Sequence, residues 1–204
     1  MNPLSRLLSL PLPEKEKRGL IYTPAEIAQQ PMTWRTTHRL FEESRSELVR
    51  FLKQAHKERW IIYLVGAGTS DYIGHSIANL LRKRWGCEVS AVASTDLLTN
   101  RDDLVIPDRD YLWVSFSRSG DSPEGVAVLE QALASSPKVR HLVVSCNKTG
   151  RMVELAQQSM NSFAMLFDDA VNDRSLAMTS SFTNMVVFGQ RIFRRDVGSD
   201  GIGR

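Results

Sequence analysis

The hydrophobic pattern of the chain changes character twice. Residues 1 to 22 mix leucines, prolines and charges without a helical or a strand period, which predicts an extended arm over 1–23. Thr23-Pro24-Ala25-Glu26 has the form of a capping box with proline at the first helical position, so a short helix opens there. Beyond Pro31, the residues Trp34, Leu40, Phe41, Leu48, Phe51 and Leu52 predict a second, longer helix. Residues 24–58 therefore read as N-terminal helices. From Trp60 onward, short apolar runs alternate with amphipathic stretches. Strands are expected near 60–65, 88–93, 111–116, 140–145 and 162–167, and helices near 71–84, 122–135, 149–159 and 175–193. Strict alternation implies parallel βαβ units, hence an α/β domain over 59–195. The polar, glycine-rich stretch 196–204 reads as an irregular tail.

Two strand-to-helix turns carry candidate chemistry. The run Tyr111 to Phe116 is followed directly by Ser117-Arg118-Ser119-Gly120-Asp121-Ser122-Pro123-Glu124. Pro123 suits a first helical turn, so the hydroxyls of Ser117, Ser119 and Ser122 lie beside the free N–H groups of a helix start. Such an end attracts anions, phosphate above all, and Arg118 adds a cation. Gly120 permits the tight turn. One serine alone would read as an N-cap; three with a glycine read as a phosphate cradle. The second turn, Gly66-Ala67-Gly68-Thr69-Ser70, follows the apolar run Trp60 to Val65. Gly66 and Gly68 allow close backbone approach to a ligand, and Thr69 and Ser70 supply hydroxyls. In open α/β sheets ligands gather at the carboxyl ends of strands, so both turns are expected at one sheet edge.

Three familiar motifs are excluded. The dinucleotide fingerprint needs a glycine where Asp71 stands. No Gly-Lys-Ser/Thr occurs, so there is no Walker loop. A nucleophile elbow needs Gly-x-Ser-x-Gly, whereas Ser119 and Gly120 are adjacent and Ser117 replaces the first glycine.

Composition narrows the class further. The 204 residues suffice for one domain with a good core, and the formal net charge is only +3. The local excess at Arg82-Lys83-Arg84 and Arg191 to Arg195 reads as solvated helix ends, and no basic face interleaved with aromatics suggests nucleic-acid binding. Cys87 and Cys146 are isolated, which suits a reducing compartment and argues against structural zinc. No apolar run reaches the ~20 residues of a membrane span. The leucines of residues 1 to 13 are interrupted by Arg6, Pro11 and Pro13, so a signal peptide is not expected and a cytoplasmic location is.

Taken together, the motifs resemble the sugar isomerase (SIS) domain. Gly66 to Ser70 with its helix is similar to that domain's first loop, Ser117 to Glu124 to its phosphate loop, and Ala177-Met178-Thr179-Ser180-Ser181-Phe182-Thr183 to its third signature. Ser94 to Asn100 and Asn172-Asp173-Arg174 add a finer likeness to the AgaS-type subfamily of tagatose-6-phosphate ketose/aldose isomerases and galactosamine-6-phosphate deaminases. The resemblance implies a three-layer, flavodoxin-like fold with a five-stranded parallel sheet flanked by helices. It implies binding of a phosphosugar or amino-sugar phosphate, an isomerase or deaminase activity, and no metal or cofactor. It also implies a second SIS domain elsewhere in such enzymes, contributing their acid/base residues, so this 204-residue form is expected to bind better than it catalyses. A non-catalytic sugar-phosphate sensor is the alternative. SIS domains pair, so a homo-oligomer is expected, with Met185, Val186, Val187, Phe188 and Ile192 as candidates for its surface, although several of them must also face the domain's own core.

Several residues remain open in the sequence. The motif points Thr179, Ser180 and Ser181 toward the sugar, although hydroxyls near a helix start often back-bond to their own chain. Glu124 is a candidate general base, or simply a first-turn acid favoured by the dipole. Asp96 touches sugar hydroxyls or caps a helix, and Arg174 orients an anion or pairs with Asp173. His38, His56, His75 and His141 read as surface or packing residues.

Overall fold

The computed structural model describes residues 2–192. The tail 196–204 and the expected end of the last helix at 193 lie outside the described residues. Five strands, β1 (Ile61–Gly66), β2 (Val89–Ala93), β3 (Tyr111–Ser117), β4 (Val139–Ser145) and β5 (Ser162–Leu166), form one sheet. Their order is β2-β1-β3-β4-β5 and every pairing is parallel. That is the flavodoxin-like winding the resemblance implied, with its switch point between β1 and β3.

Alternate residues of each strand serve two cores, as a sheet buried on both faces requires. Ile62, Leu64, Leu112, Val114 and Phe116 pack under α3 (Thr23–Lys57), α4 (Thr69–Trp85) and α9 (Ser180–Ile192). Tyr63, Val65, Tyr111 and Trp113 face α5 (Ser94–Thr99) and α7 (Pro123–Ser135) on the other side. There Val143 adjoins Met152 and Val153 of α8 (Arg151–Gln157). α4 ends where Gly86 takes the left-handed conformation at φ 64°, with Arg82, Lys83 and Arg84 in its last turn.

The N-terminal third departs from expectation. The supposed extended arm holds two short helices, α1 (Pro3–Leu8) and α2 (Leu12–Lys17). Pro3 and Pro13 lie in first turns and Pro11 is the N-cap of α2, and Asn2 Oδ1 caps α1 by accepting from Ser5 N–H at 2.8 Å. Pro31 does not divide two helices either: α3 runs unbroken through it for 35 residues. Packing against α9 offsets the local cost. Thr37 Oγ1 donates to Asn184 Oδ1 at 2.7 Å, and Asn184 Nδ2 donates to Thr33 Oγ1 at 2.8 Å, all three residues being buried. The capping box fails too. Tyr22 is the N-cap, without a side-chain bond, and Glu26 is engaged elsewhere. The short helix α5 begins at Ser94, ahead of the cap position offered for Asp96, and α6 (Arg101–Leu104) was not foreseen.

The docking surface expected on α9 needs correcting. Met185, Phe188 and Ile192 are fully buried in the domain's own core, because α9 lies over α3 and α4. Val186 and Val187 are half-buried.

His141 sits inside the sheet at 1 % exposure, edge-on to Trp113, and neither ring nitrogen has a hydrogen-bond partner among the described residues. Burial, and secondarily the charge of Arg101, push its pKa from 6.5 down to about 4. The folded state therefore binds fewer protons than the unfolded one, and stability present above pH 6.5 is lost as pH falls toward 4. The loss should approach about 3 kcal/mol. Urea titrations from pH 7 to 4 should show this decline in the native protein and a much shallower one in His141→Leu. Equal slopes would remove His141 from the account.

Candidate functional site at the ends of β1 and β3

The turns after β1 and β3 open on the same edge of the sheet, as expected. Together they line a pocket of about 230 Å³ with Ala67, Gly68, Ser70, Phe116, Ser117, Arg118, Ser119, Ser122, Glu124 and Met178. Two glycines make this approach possible. A Cβ on Gly66 would stand 2.4 Å from the Ser70 carbonyl carbon, and Gly68 adopts φ 54°, ψ −123°, a conformation closed to other residues.

The serine loop keeps its hydroxyl protons available. Ser117 Oγ accepts from Gly120 N–H at 3.0 Å and Ser119 Oγ accepts from Asp121 N–H at 3.2 Å. A serine oxygen that accepts still has its own proton to give. Ser122 is the N-cap of α7, yet its side chain makes no cap bond. The first i→i−4 bond of α7 runs from Val126 N–H to Ser122 O, so the N–H groups of Glu124 and Gly125 precede the helical ladder. Gly120, at φ 67°, makes the turn.

Residues not singled out in the sequence brace this loop. Asn147 Nδ2 donates to Ser119 O at 2.8 Å, Met152 N–H to Gly120 O at 2.9 Å, and Arg151 N–H to Asp121 Oδ1 at 2.7 Å. Ser145 Oγ accepts from Asn147 N–H at 3.1 Å. A Cβ on Gly150 would lie 2.7 Å from Ser119 O and 2.8 Å from the Cα of Gly120. Gly150→Ala should therefore displace the loop backbone and cost about 1–3 kcal/mol. Urea denaturation checks this; an unshifted midpoint would show that the loop yields freely. The signal was present as Asn147 and Gly150 just past a strand end.

Arg118 is half-buried and Nη1 donates to Ser175 O at 2.9 Å, which ties it to the loop before α9. That loop does not bring its hydroxyls to the pocket. Asp173 accepts from the N–H groups of Thr179, Ser180 and Ser181 at 2.9, 3.0 and 2.8 Å, and from the hydroxyls of Thr179 and Ser181. Ser180 Oγ donates to Glu26 O at 2.7 Å. Ser180 and Ser181 are fully buried, and the third signature serves as a capped helix start with Met178 reaching the pocket.

Thr69 and Arg174 line a neighbouring cavity of about 670 Å³ between residues 19–23 and 174–177. Arg174 does not pair with Asp173, whose carboxylate is occupied by α9. Asp96 lies in the first turn of α5. Among the described residues no three His, Cys, Asp or Glu side chains gather as a metal site would require, and no helix is long and apolar enough to cross a membrane. Burial pushes the Cys146 thiol well above its ordinary range, against any nucleophilic role.

No family profile matches the chain. Among curated proteins it is 41% identical over 173 residues to the D-galactosamine-6-phosphate deaminase AgaS of Escherichia coli, covering 84% of this chain and 45% of that protein. The Shewanella sp. (strain ANA-3) protein of that name is 31% identical over 178 residues, covering 86% and 46%. The chain thus spans about half the length of the curated relatives it matches. Among solved structures, the tagatose-6-phosphate ketose/aldose isomerase from Escherichia coli superposes with a TM-score of 0.79 at 41% identity, over 83% of this chain and 47% of that one. The C-terminal domain of glucosamine-fructose-6-phosphate aminotransferase from Francisella tularensis shares the fold, at TM-score 0.61 and 20% identity over 81% and 44%. The identity runs through a single doubly wound domain with both glycine- and serine-rich turns, and over that domain the chain is similar to the AgaS-type sugar isomerase proteins.

Proposed function

We propose that the chain binds a phosphorylated sugar or amino sugar, holding its phosphate at the Ser117–Ser122 loop. The observation that carries this reading is the convergence of three serine hydroxyls with protons to donate, beside the start of α7 and the switch point of the sheet. Charge-assisted bonds from such donors to a phosphate are the strong kind. Gly68 leaves room for the sugar backbone, and Ser70, which lies against Met178 Sδ at 3.7 Å, faces the same space. An open-chain sugar anchored there would reach Glu124, the only acid among the described residues lining the pocket.

The relatives' names supply the reaction class: ketose/aldose isomerisation, or deamination of an amino-sugar phosphate. In either, a base moves a proton between C1 and C2 by way of an enediol or enolamine, and Glu124 is assigned that transfer; in the deamination the C2 imine so formed is then hydrolysed, water supplying the C2 oxygen as ammonia leaves. The same reading includes a cytoplasmic location, which two free cysteines support, and self-association. The exposed Ile27, Met32 and Trp34 of α3 support the latter, and sedimentation giving a clean monomer would remove it.

Calorimetric titration with galactosamine-6-phosphate and tagatose-6-phosphate, paired with a product assay, tests the function. Saturable binding of at least one, retained in Glu124→Gln with any turnover abolished, is the expected result. Absence of binding at millimolar ligand would overturn it.

A further inference from the structure

We infer that Glu26, far away in the first helical layer, is a positioning residue of the phosphate site, acting on Arg118 through Ser175. The inference rests on the reading of the Ser117–Ser122 loop as the cradle. Glu26 is 7 % exposed, and a carboxylate so placed is costly unless it is fully hydrogen-bonded. Its partners are not the start of its own helix. Oε1 accepts from Arg174 N–H at 2.6 Å and from Ser175 N–H at 3.1 Å, and Oε2 accepts from the Ser175 hydroxyl. Two successive backbone groups and a side chain are thus held from behind by one carboxylate.

What this anchors is the backbone at Ser175, whose carbonyl accepts from Arg118 Nη1 at 2.9 Å. The far side of the loop is pinned independently by Asp173 on the first N–H groups of α9. With one N–H spent on Ser175, the planar guanidinium still has four to offer, now oriented at the pocket wall beside the three serines. Arginine loses substantial rotamer freedom when it engages an anion, and a tether made beforehand reduces that loss. The alternative is that Glu26 merely glues α3 to the loop. It would then contribute to stability, and any effect on binding would not depend on Arg118.

A double-mutant cycle on the full chain separates the two, with galactosamine-6-phosphate and inorganic phosphate as probes and calorimetry as readout. Glu26→Gln keeps the shape and an oxygen for the backbone donors. It should weaken binding about 10-fold when Arg118 is present and less than about 2-fold in the Arg118→Ala background. Ser175→Ala, which removes the hydroxyl's contacts to Glu26 and to the Ala177 carbonyl, should show the same dependence on Arg118 and serves where Glu26→Gln does not fold. Equal weakening in both backgrounds, or none in either, would overturn the inference. An Arg118→Ala variant with native affinity would overturn it as well, and with it the place of Arg118 in the cradle. Weakening by Arg118→Ala that is additive with Glu26→Gln would sink the inference while leaving the cradle standing.

Discussion

Ser117→Ala is expected to weaken sugar-phosphate binding by roughly 10- to 150-fold, corresponding to about 1.5–3 kcal/mol for one hydrogen bond to a charged group. Ser117 ends β3 at 6 % exposure, so its hydroxyl is desolvated whether or not ligand is present. It also accepts the Gly120 N–H, so alanine removes a turn contact and a ligand donor together. Ser119→Ala should fall in the same range on binding but disturb the fold less, because Ser119 is exposed and its hydroxyl accepts only from Asp121 N–H. Calorimetry gives the affinities and urea midpoints give the stabilities. Native affinity in both variants would place the phosphate elsewhere on the molecule.

Gly66→Ala should be the most damaging single change to the domain. The added Cβ would meet the Ser70 carbonyl carbon and oxygen and the Asp71 nitrogen at 2.4–2.5 Å, all backbone atoms that no rotamer change can move. The start of α4 must shift bodily, or β1 must lose its end pairing with Ala93 on β2. Overpacking of this severity costs about 3 kcal/mol or more. For a chain of this size that lowers the midpoint of thermal unfolding by roughly 6–12 °C. Ligand binding should fall with it, since the Gly68–Ser70 wall of the pocket moves. A Gly66→Ala protein with unchanged melting would show that the turn has slack the structure does not display.

Most of the sheet could be read from the sequence because its strands are buried on both faces. Runs such as Trp60 to Val65 and Tyr111 to Phe116 are apolar but for Ser115, as parallel strands between two helical layers require. The strand-to-helix turn after β3 was legible for a similar reason: Pro123 marks the start of α7. Where structure is set by long-range polar contacts, the sequence was silent. Glu26 has the spacing of a capping box, yet its partners are 148 and 149 residues away. Pro31 predicts a break that the Thr33–Asn184–Thr37 contacts override. Thr179, Ser180 and Ser181 belong to a recognisable motif, but it is Asp173 that claims them, and a local pattern does not reveal which neighbour a hydroxyl will choose. The first 22 residues show no period, and the helices there are too short to set one; Pro3 and Pro13 stand in their first turns.

The central claim is that the serine loop at the end of β3 holds the phosphate of a sugar phosphate, and a crystal structure of the chain grown with galactosamine-6-phosphate tests it most directly. The account predicts phosphate oxygens within hydrogen-bond distance of the Ser117, Ser119 and Ser122 hydroxyls and the first N–H groups of α7, with the sugar lying toward Gly68 and Glu124. A phosphate bound instead in the 670 Å³ cavity beside Thr69 and Arg174, with the serine loop empty, would contradict it.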